Sequence, residues 1–362
     1  MINTVKNTAQ KNLHLLWFIL LLLSAEKVFS QSGLQLSAPK VFIKLDSTCM
    51  TPDAMAFDES GNIFLSITNA TTFDQFGAKI IKLSPTGTIL GTWTSLPEHP
   101  VTGKVHPMGM AVGSDGFLYV VDNQRFAGHQ NASRVLRAKL QNGEIRNIET
   151  VVTGLNVANG LRFYEGYIYV TDALTDNERK SGLFRFDTRD LNKQPIHIDP
   201  KNRSAYLVHE MELDKNTPNG VGVDGLDFDA NGNLYVGNFS DGTLTKIKPD
   251  KNSGKHEITT VIKDIRLVGC DGIFFDKPSN SLLIANFLEN SILQYNLSTE
   301  KLTVLWKNED AACNADLDSP CDLAVFDNQL VVVNFDTYTT NANKTIDNCN
   351  TITVFDLRRQ KE

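Results

Sequence analysis

Asp53, Asn159, Asp224, Asp271 and Asp322 each open a short strand-like apolar segment, and Met108 opens a sixth of the same kind. If these positions converge, four carboxylates and one amide share a narrow well. The carboxylates would then repel one another and take up protons unless a cation neutralised them. Oxygen-only donors suit a hard ion, and Ca²⁺ accepts about 6–8 of them, with water completing the shell. The competing reading is turn chemistry, in which Asp-Gly or Asn-Gly bonds nearby backbone N–H groups while glycine lets the chain approach closely. Turn chemistry alone leaves the alternation between Asp and Asn unexplained.

Positioning such a set requires a repeated element, and the sequence contains one. The segments Asp53-AMAF, Met108-GMAV, Asn159-GLRF, Asp224-GLDF, Asp271-GIFF and Asp322-LAVF start 55, 51, 65, 47 and 51 residues apart. That period fits one four-stranded propeller blade. Apolar residues alternate within each segment, a turn rich in Asp, Asn and Gly follows, and an Ile/Leu-Tyr-Val type of strand returns. Third strands are expected at Lys79 to Leu83, Val135 to Lys139, Gly182 to Phe186, Thr243 to Lys248, Ser291 to Asn296 and Thr351 to Asp356. Weaker fourth strands are expected at Thr150 to Val152 and Thr259 to Ile262. The fold class predicted is all-β: a six-bladed β-propeller in which the N-terminal strand Pro39 to Leu45 pairs with the C-terminal blade, so that no sheet edge stays open.

That pairing places Cys49 and Cys349 at the same end, which predicts a Cys49–Cys349 disulfide. Cys313 with Cys321 is a second candidate pair, and the fifth cysteine, Cys270, remains a buried structural thiol. No CxxC pair points to zinc or a redox dithiol. His106 and His129 could face the well as general bases, although capping or surface roles suit them better. Asp122, Asp172, Asn238, Asn286 and Asn334 end the second strands and recur too regularly for catalysis, so they are read as turn-forming.

Lys6 and Lys11 precede an apolar stretch from Leu13 to Ala25 and a polar junction at Val28 to Gln31, the layout of a signal peptide. Residues 1–30 are therefore expected to be removed, leaving 31–362 as a single exported domain, secreted or periplasmic, with no stable membrane span after cleavage. An uncleaved anchor is the alternative. Removal takes away three lysines and one glutamate, so the formal charge of −7 becomes −9. With no Lys/Arg cluster to displace counterions, nucleic acid is excluded as a partner. Six Asn-x-Ser/Thr sequons, from Asn69 to Asn343, decide nothing in so Asn-rich a chain.

At Asn159-Gly-Leu-Arg-Phe and Asp224-Gly-Leu-Asp-Phe the chain resembles the senescence-marker-protein/gluconolactonase family, calcium-dependent propellers similar to diisopropyl fluorophosphatase and the paraoxonases. The resemblance spans nearly the whole mature chain. It implies that Asp53, in the register of the family's Glu, holds Ca²⁺ together with Asn159 and Asp224, with Asp271 as a further ligand. It also implies that Asp224 is catalytic, activating water or attacking directly in the hydrolysis of a small-molecule lactone or ester. Met108 departs from the pattern, since the family carries Asn there and a thioether is a poor partner for a hard cation. The alternative is a non-catalytic, NHL-like propeller that binds a protein, glycan or small ligand on its top face through the loops Lys307 to Pro320 and Asp336 to Asn350. A strictosidine-type synthase is less favoured because no Glu opens any copy.

Overall fold

Each blade begins with a hairpin whose turn is encoded locally. In Asp58-Glu-Ser-Gly-Asn, the Asp58 carboxylate accepts the Ser60 and Asn62 N–H groups, and Gly61 takes φ +76°. Asp229-Ala-Asn-Gly-Asn repeats this arrangement through the Asn231 and Asn233 N–H groups, with Gly232 at φ +76°. Asp bonds its own turn backbone and Gly supplies the left-handed residue, so two strands are reversed at no steric cost.

A computed structural model describes residues 33–175, 179–199, 201–203, 205–213, 221–249, 255–309, 314–335, 340, 342, 344 and 350–359. Leu36–Leu357 form one compact unit, and the described residues at the chain ends, 33–35 and 358–359, fall in another. The first unit holds six sheets, antiparallel except where the short strand Ile196–His197 pairs parallel with Glu144–Leu155. Blade 1 consists of Pro52–Phe57, Ile63–Ile67, Lys79–Leu83 and Ile89–Trp93, and blade 2 of Pro107–Val112, Phe117–Asp122, Ser133–Gln141 and Glu144–Leu155. Blade 3 follows with Val157–Tyr164, Tyr167–Thr175, Lys180–Asp187 and Leu207–Glu212, and blade 4 with Val223–Phe228, Leu234–Asn238, Thr243–Lys248 and Glu257–Lys263. Blade 5 is Cys270–Asp276, Ser281–Asn286, Ser291–Asn296 and Lys301–Lys307. Blade 6 has Pro320–Phe326, Gln329–Asn334 and Thr351–Arg359, and the N-terminal strand Lys40–Lys44 pairs antiparallel with the last of these, Lys40 opposite Val354 and Lys44 opposite Thr351. The expected closure is thus present. Each blade's first strand packs against the first strand of the next, and blade 6 returns to blade 1.

The first strands share a device that no propensity argument predicts. All six carry a register shift near the entrance, between Pro52 and Met55, Pro107 and Met110, Ala158 and Leu161, Val223 and Leu226, Cys270 and Ile273, and Pro320 and Asp322. A bulge adds one unpaired residue and re-aims its neighbours. Two of the freed N–H groups are taken by hydroxyls of the second strand, Ala54 N–H by Ser66 Oγ at 2.9 Å and Gly160 N–H by Thr171 Oγ1 at 2.8 Å.

The glycine after the entrance residue closes the ring. A Cβ on Gly109 would strike the Asn159 carbonyl, one on Gly160 the Asp224 carbonyl, and one on Gly225 the Asp271 carbonyl. Neighbouring backbones therefore touch where a side chain has no room. Gly225→Ala is expected to lower stability by about 3 kcal/mol, because the clash is with backbone and cannot be relieved by a rotamer change; a midpoint of urea unfolding unchanged from wild type would contradict this.

No disulfide joins described residues: Cys49, Cys270 and Cys321 are buried thiols, whereas Cys313 and Cys349, and with them both expected pairings, lie outside the described residues. Residues 1–30 lie outside them too, as does most of the segment from Asp336 to Asn350. Among the described residues no helix is long and apolar enough to cross a membrane.

Candidate functional site

The bulged entrances bring Asp53, Asn159, Asp224, Asp271 and Asp322 to the wall of one cavity, about 20 Å³ in volume, together with Gly109, Cys321 and Arg162. A water needs on the order of 10–15 Å³ of such volume, so the cavity admits one water or one small ion. Asp53, Asp224 and Asp322 are buried, and Asp271 and Asn159 are half-buried.

Within the well, Asn159 Nδ2 donates to Asp224 Oδ2 at 3.0 Å, which fixes both side chains and leaves the amide oxygen of Asn159 as a donor of electron pairs. Burial pushes the Asp224 carboxyl up to about 7, the Asn159 bond opposes this, and the Asp322 charge adds to it. Asp53 is raised well above the ordinary carboxylate range by burial, then by Asp224 and Asp322. Asp271 is raised likewise by burial, then by Asp224, Asp53 and Asp322. Asp271 retains some surface, yet removal from water is still the larger cause of its shift and the three other carboxylates add to it. These cross-influences locate the four groups in one electrostatic unit.

Asp322 occupies a different position in that unit. Its Oδ2 accepts the Met55 N–H at 2.8 Å across the blade 6 to blade 1 junction, and its Oδ1 accepts the Leu323 N–H at 2.9 Å. It thus stitches the ring closed, which leaves it less free to serve a ligand.

The functional residue that the sequence reading missed is Arg162. Its guanidinium crosses the channel, donating to the Leu161 carbonyl at 3.0 Å and the Ile273 carbonyl at 2.9 Å, and lies 3.8 Å from Asp227 Oδ1 and 3.7 Å from Asp322 Oδ1. Asp227 in turn accepts the Phe275 N–H at 2.7 Å, joining blades 4 and 5. A signal was present: Arg162 and Asp227 hold the same register in adjacent copies, where the other copies carry Ala56, Ala111, Phe274 and Val325. Opposite charges at one register of a closed ring meet across the channel.

One expectation is corrected. Met108 does not face the well; it is 4% exposed and packs in the apolar core, so the second entrance contributes only the Gly109 backbone. His106 does not line the cavity either. It is buried between Phe73 and Phe126, with ring centroids at 5.1 and 5.8 Å, and burial lowers its pKa; His129 is exposed. The residues ending the second strands hold backbone: Asp122 accepts the His106 N–H, Asp172 the Asn156 N–H, Asn238 the Ser240 N–H, Asn286 the Leu288 N–H and Asn334 the Asp318 N–H.

The donor set fits a hard divalent ion in kind: three carboxylates and an amide oxygen around a space of ionic size, short of positive charge. As the side chains stand, no group of three or more His, Cys, Asp or Glu among the described residues is arranged to hold a metal ion. Like charges hold ionised carboxylates apart until a cation draws them together.

The fold and the well together define a six-bladed propeller with an acidic entrance ring. No family model matches the chain, and no curated protein matches it in sequence. Solved structures match over most of its length. The chain is similar to the PQQ-bound aldose sugar dehydrogenase of Streptomyces coelicolor, at 15% identity and TM-score 0.57, over 90% of this chain and 99% of that one. It is similar to a luciferin-regenerating enzyme, at 10% identity and TM-score 0.57, over 89% of this chain and 94% of that one. It is also similar to a gluconolactonase of Xanthomonas campestris, at 12% identity and TM-score 0.53, over 90% of this chain and 91% of that one. At such identities the likeness establishes the shared fold.

Proposed function

We propose that the chain is an exported, divalent-cation-dependent hydrolase of a lactone or related ester, in which Asp53, Asn159, Asp224 and Asp271 would hold Ca²⁺. The observation that carries this reading is the gathering of four carboxylates and an amide at one small cavity, where Arg162 lies near Asp322 and leaves Asp53, Asp224 and Asp271 without a cation. The gluconolactonase sharing the fold makes lactones the first substrates to try.

When bound, the ion supplies Lewis-acid polarisation of the carbonyl and stabilises the developing oxyanion. The chain's own residues do the rest. Asn159 Nδ2 holds one oxygen of Asp224, so the other is presented to a water. Asp224 is the group that would take that water's proton. Arg162, bonded to the backbone of blades 3 and 5, keeps Asp322 and Asp227 from competing for the water.

Chelator-treated protein gives a pH test. Asp53, Asp224 and Asp271 have folded pKa values above the unfolded carboxylate value, so the folded state binds more protons than the unfolded one between the two. Their contribution to stability is therefore full below about pH 4 and is lost as pH rises through the range near 7 where Asp224 titrates. The melting temperature of chelated protein should fall between pH 5 and pH 8, and Ca²⁺ should restore it. A Ca²⁺-independent, pH-flat melting temperature would count against the cation.

The direct functional test is metal analysis of purified protein combined with a lactone and phosphotriester panel. Bound divalent ion and chelator-sensitive turnover support the reading; absence of both removes it. Met108 in the core favours a second reading, a non-catalytic ligand-binding propeller, for which Asp224→Ala would leave every measured property of the top face except metal content unchanged.

A further inference from the structure

The turns joining first to second strands lie at the far end of those strands from the acidic entrances. There the Tyr164–Tyr167 turn of blade 3, the Asn231–Asn233 turn of blade 4 and the adjoining strands of blades 3 to 5 line a second cavity, of about 1290 Å³. Typical small-molecule pockets are about 300–1,000 Å³, so one metabolite would leave this space largely unfilled.

Its lining has a definite chemistry. Five tyrosines line it: Tyr164 and Tyr167 are half-buried and present surface to it, whereas Tyr169, Tyr235 and Tyr295 form its buried floor. Tyr164 is held flat on Phe228, with ring centroids 4.0 Å apart and planes 8° apart, and Phe228 meets Tyr169 edge-on at 4.9 Å. The Tyr164 hydroxyl passes over Gly232, where an added Cβ would come within 2.6 Å of it. The Arg185 guanidinium lies 4.9 Å from the Tyr167 ring centre. Four basic and four acidic side chains line the cavity, so it carries no excess charge. Two of these pairs are already joined, Arg189 to Asp187 at 2.6 Å and Lys248 to Glu257 at 3.6 Å.

We propose that this groove binds a neutral oligosaccharide of several hexose units, at a site separate from the acidic well. A pyranose ring offers an apolar C–H face, which aromatic side chains cover, and a rim of hydroxyls that both donate and accept. The half-buried Tyr164 and Tyr167, the exposed Asn231 and charged groups of both signs meet that rim, each satisfying what burial would otherwise leave unpaired. Charge balance disfavours a polyanion or polycation, and the polar lining disfavours a lipid or an apolar peptide.

The test is isothermal titration of the purified full chain with cello-, malto- and mannohexaose, their disaccharides, and polygalacturonate as a charged comparison. At least one hexaose should bind, tenfold or more tightly than its disaccharide. Tyr167→Ala should weaken that binding at least tenfold, and the exposed change Asn231→Ala should weaken it with an unaltered melting temperature. Both variants should keep wild-type lactone turnover. Should no neutral hexaose bind, should polygalacturonate alone bind, or should both variants retain wild-type affinity, the proposal is overturned.

Discussion

Asp224→Asn is expected to reduce lactone turnover by about 10³-fold at saturating Ca²⁺, within the range that a positioned general base contributes. The same change should make chelated protein more stable at pH 8. Asn is isosteric with Asp, yet it removes a charge that burial and Asp322 disfavour. For a protein of this size a gain of about 1–2 kcal/mol corresponds to a melting temperature a few degrees higher. Opposite movement of activity and stability is what distinguishes a functional carboxylate from a structural one. A merely turn-forming Asp224 would lose stability on substitution, and turnover would fall only in proportion to unfolding. Steady-state kinetics and thermal melts on the same samples separate the two outcomes.

Arg162→Met should have the largest effect on stability, a loss of about 3–5 kcal/mol, the range found when one partner of a buried pair is removed. The guanidinium is 20% exposed and its near neighbours Asp227 and Asp322 are 19% and 7% exposed, so water screens little of what it offsets. Burial already pushes both carboxyls up, and Arg162 is what pulls each back down. Without it they must be protonated or remain as unpaired charge. The double variant Arg162→Met with Asp227→Asn should recover part of the loss, as read from urea midpoints in a double-mutant cycle. Additive single effects would show that the guanidinium acts through its two backbone carbonyls alone.

These two residues also mark what the sequence made legible. The six copies, the hairpin turns and the strands Lys79–Leu83, Thr243–Lys248 and Ser291–Asn296 follow from alternation and turn residues, because each is a local property. Closure by Lys40–Lys44 follows from the missing outer strand of blade 6. The entrance positions could be placed on one ring, but not aimed. A bulge shifts the side-chain alternation by one, and whether a residue then faces the channel or the core depends on the neighbouring blade. Met108 turns into the core and Asp322 turns to the backbone of blade 1, whereas Asp53, Asp224 and Asp271 turn to the cavity. His106 sits just before an entrance in sequence, yet the aromatic rings of Phe73 and Phe126 enclose it. The tyrosine groove was illegible for a related reason: its members come from turns and strands of three blades, and no single segment carries the pattern.

Diffraction from crystals grown with Mn²⁺, collected at an energy where manganese scatters anomalously, tests the central claim most directly. A single anomalous peak among Asp53, Asn159, Asp224 and Asp271 is the expected result. A well that holds only water at saturating Mn²⁺, with the four side chains as far apart as in the metal-free protein, would contradict it.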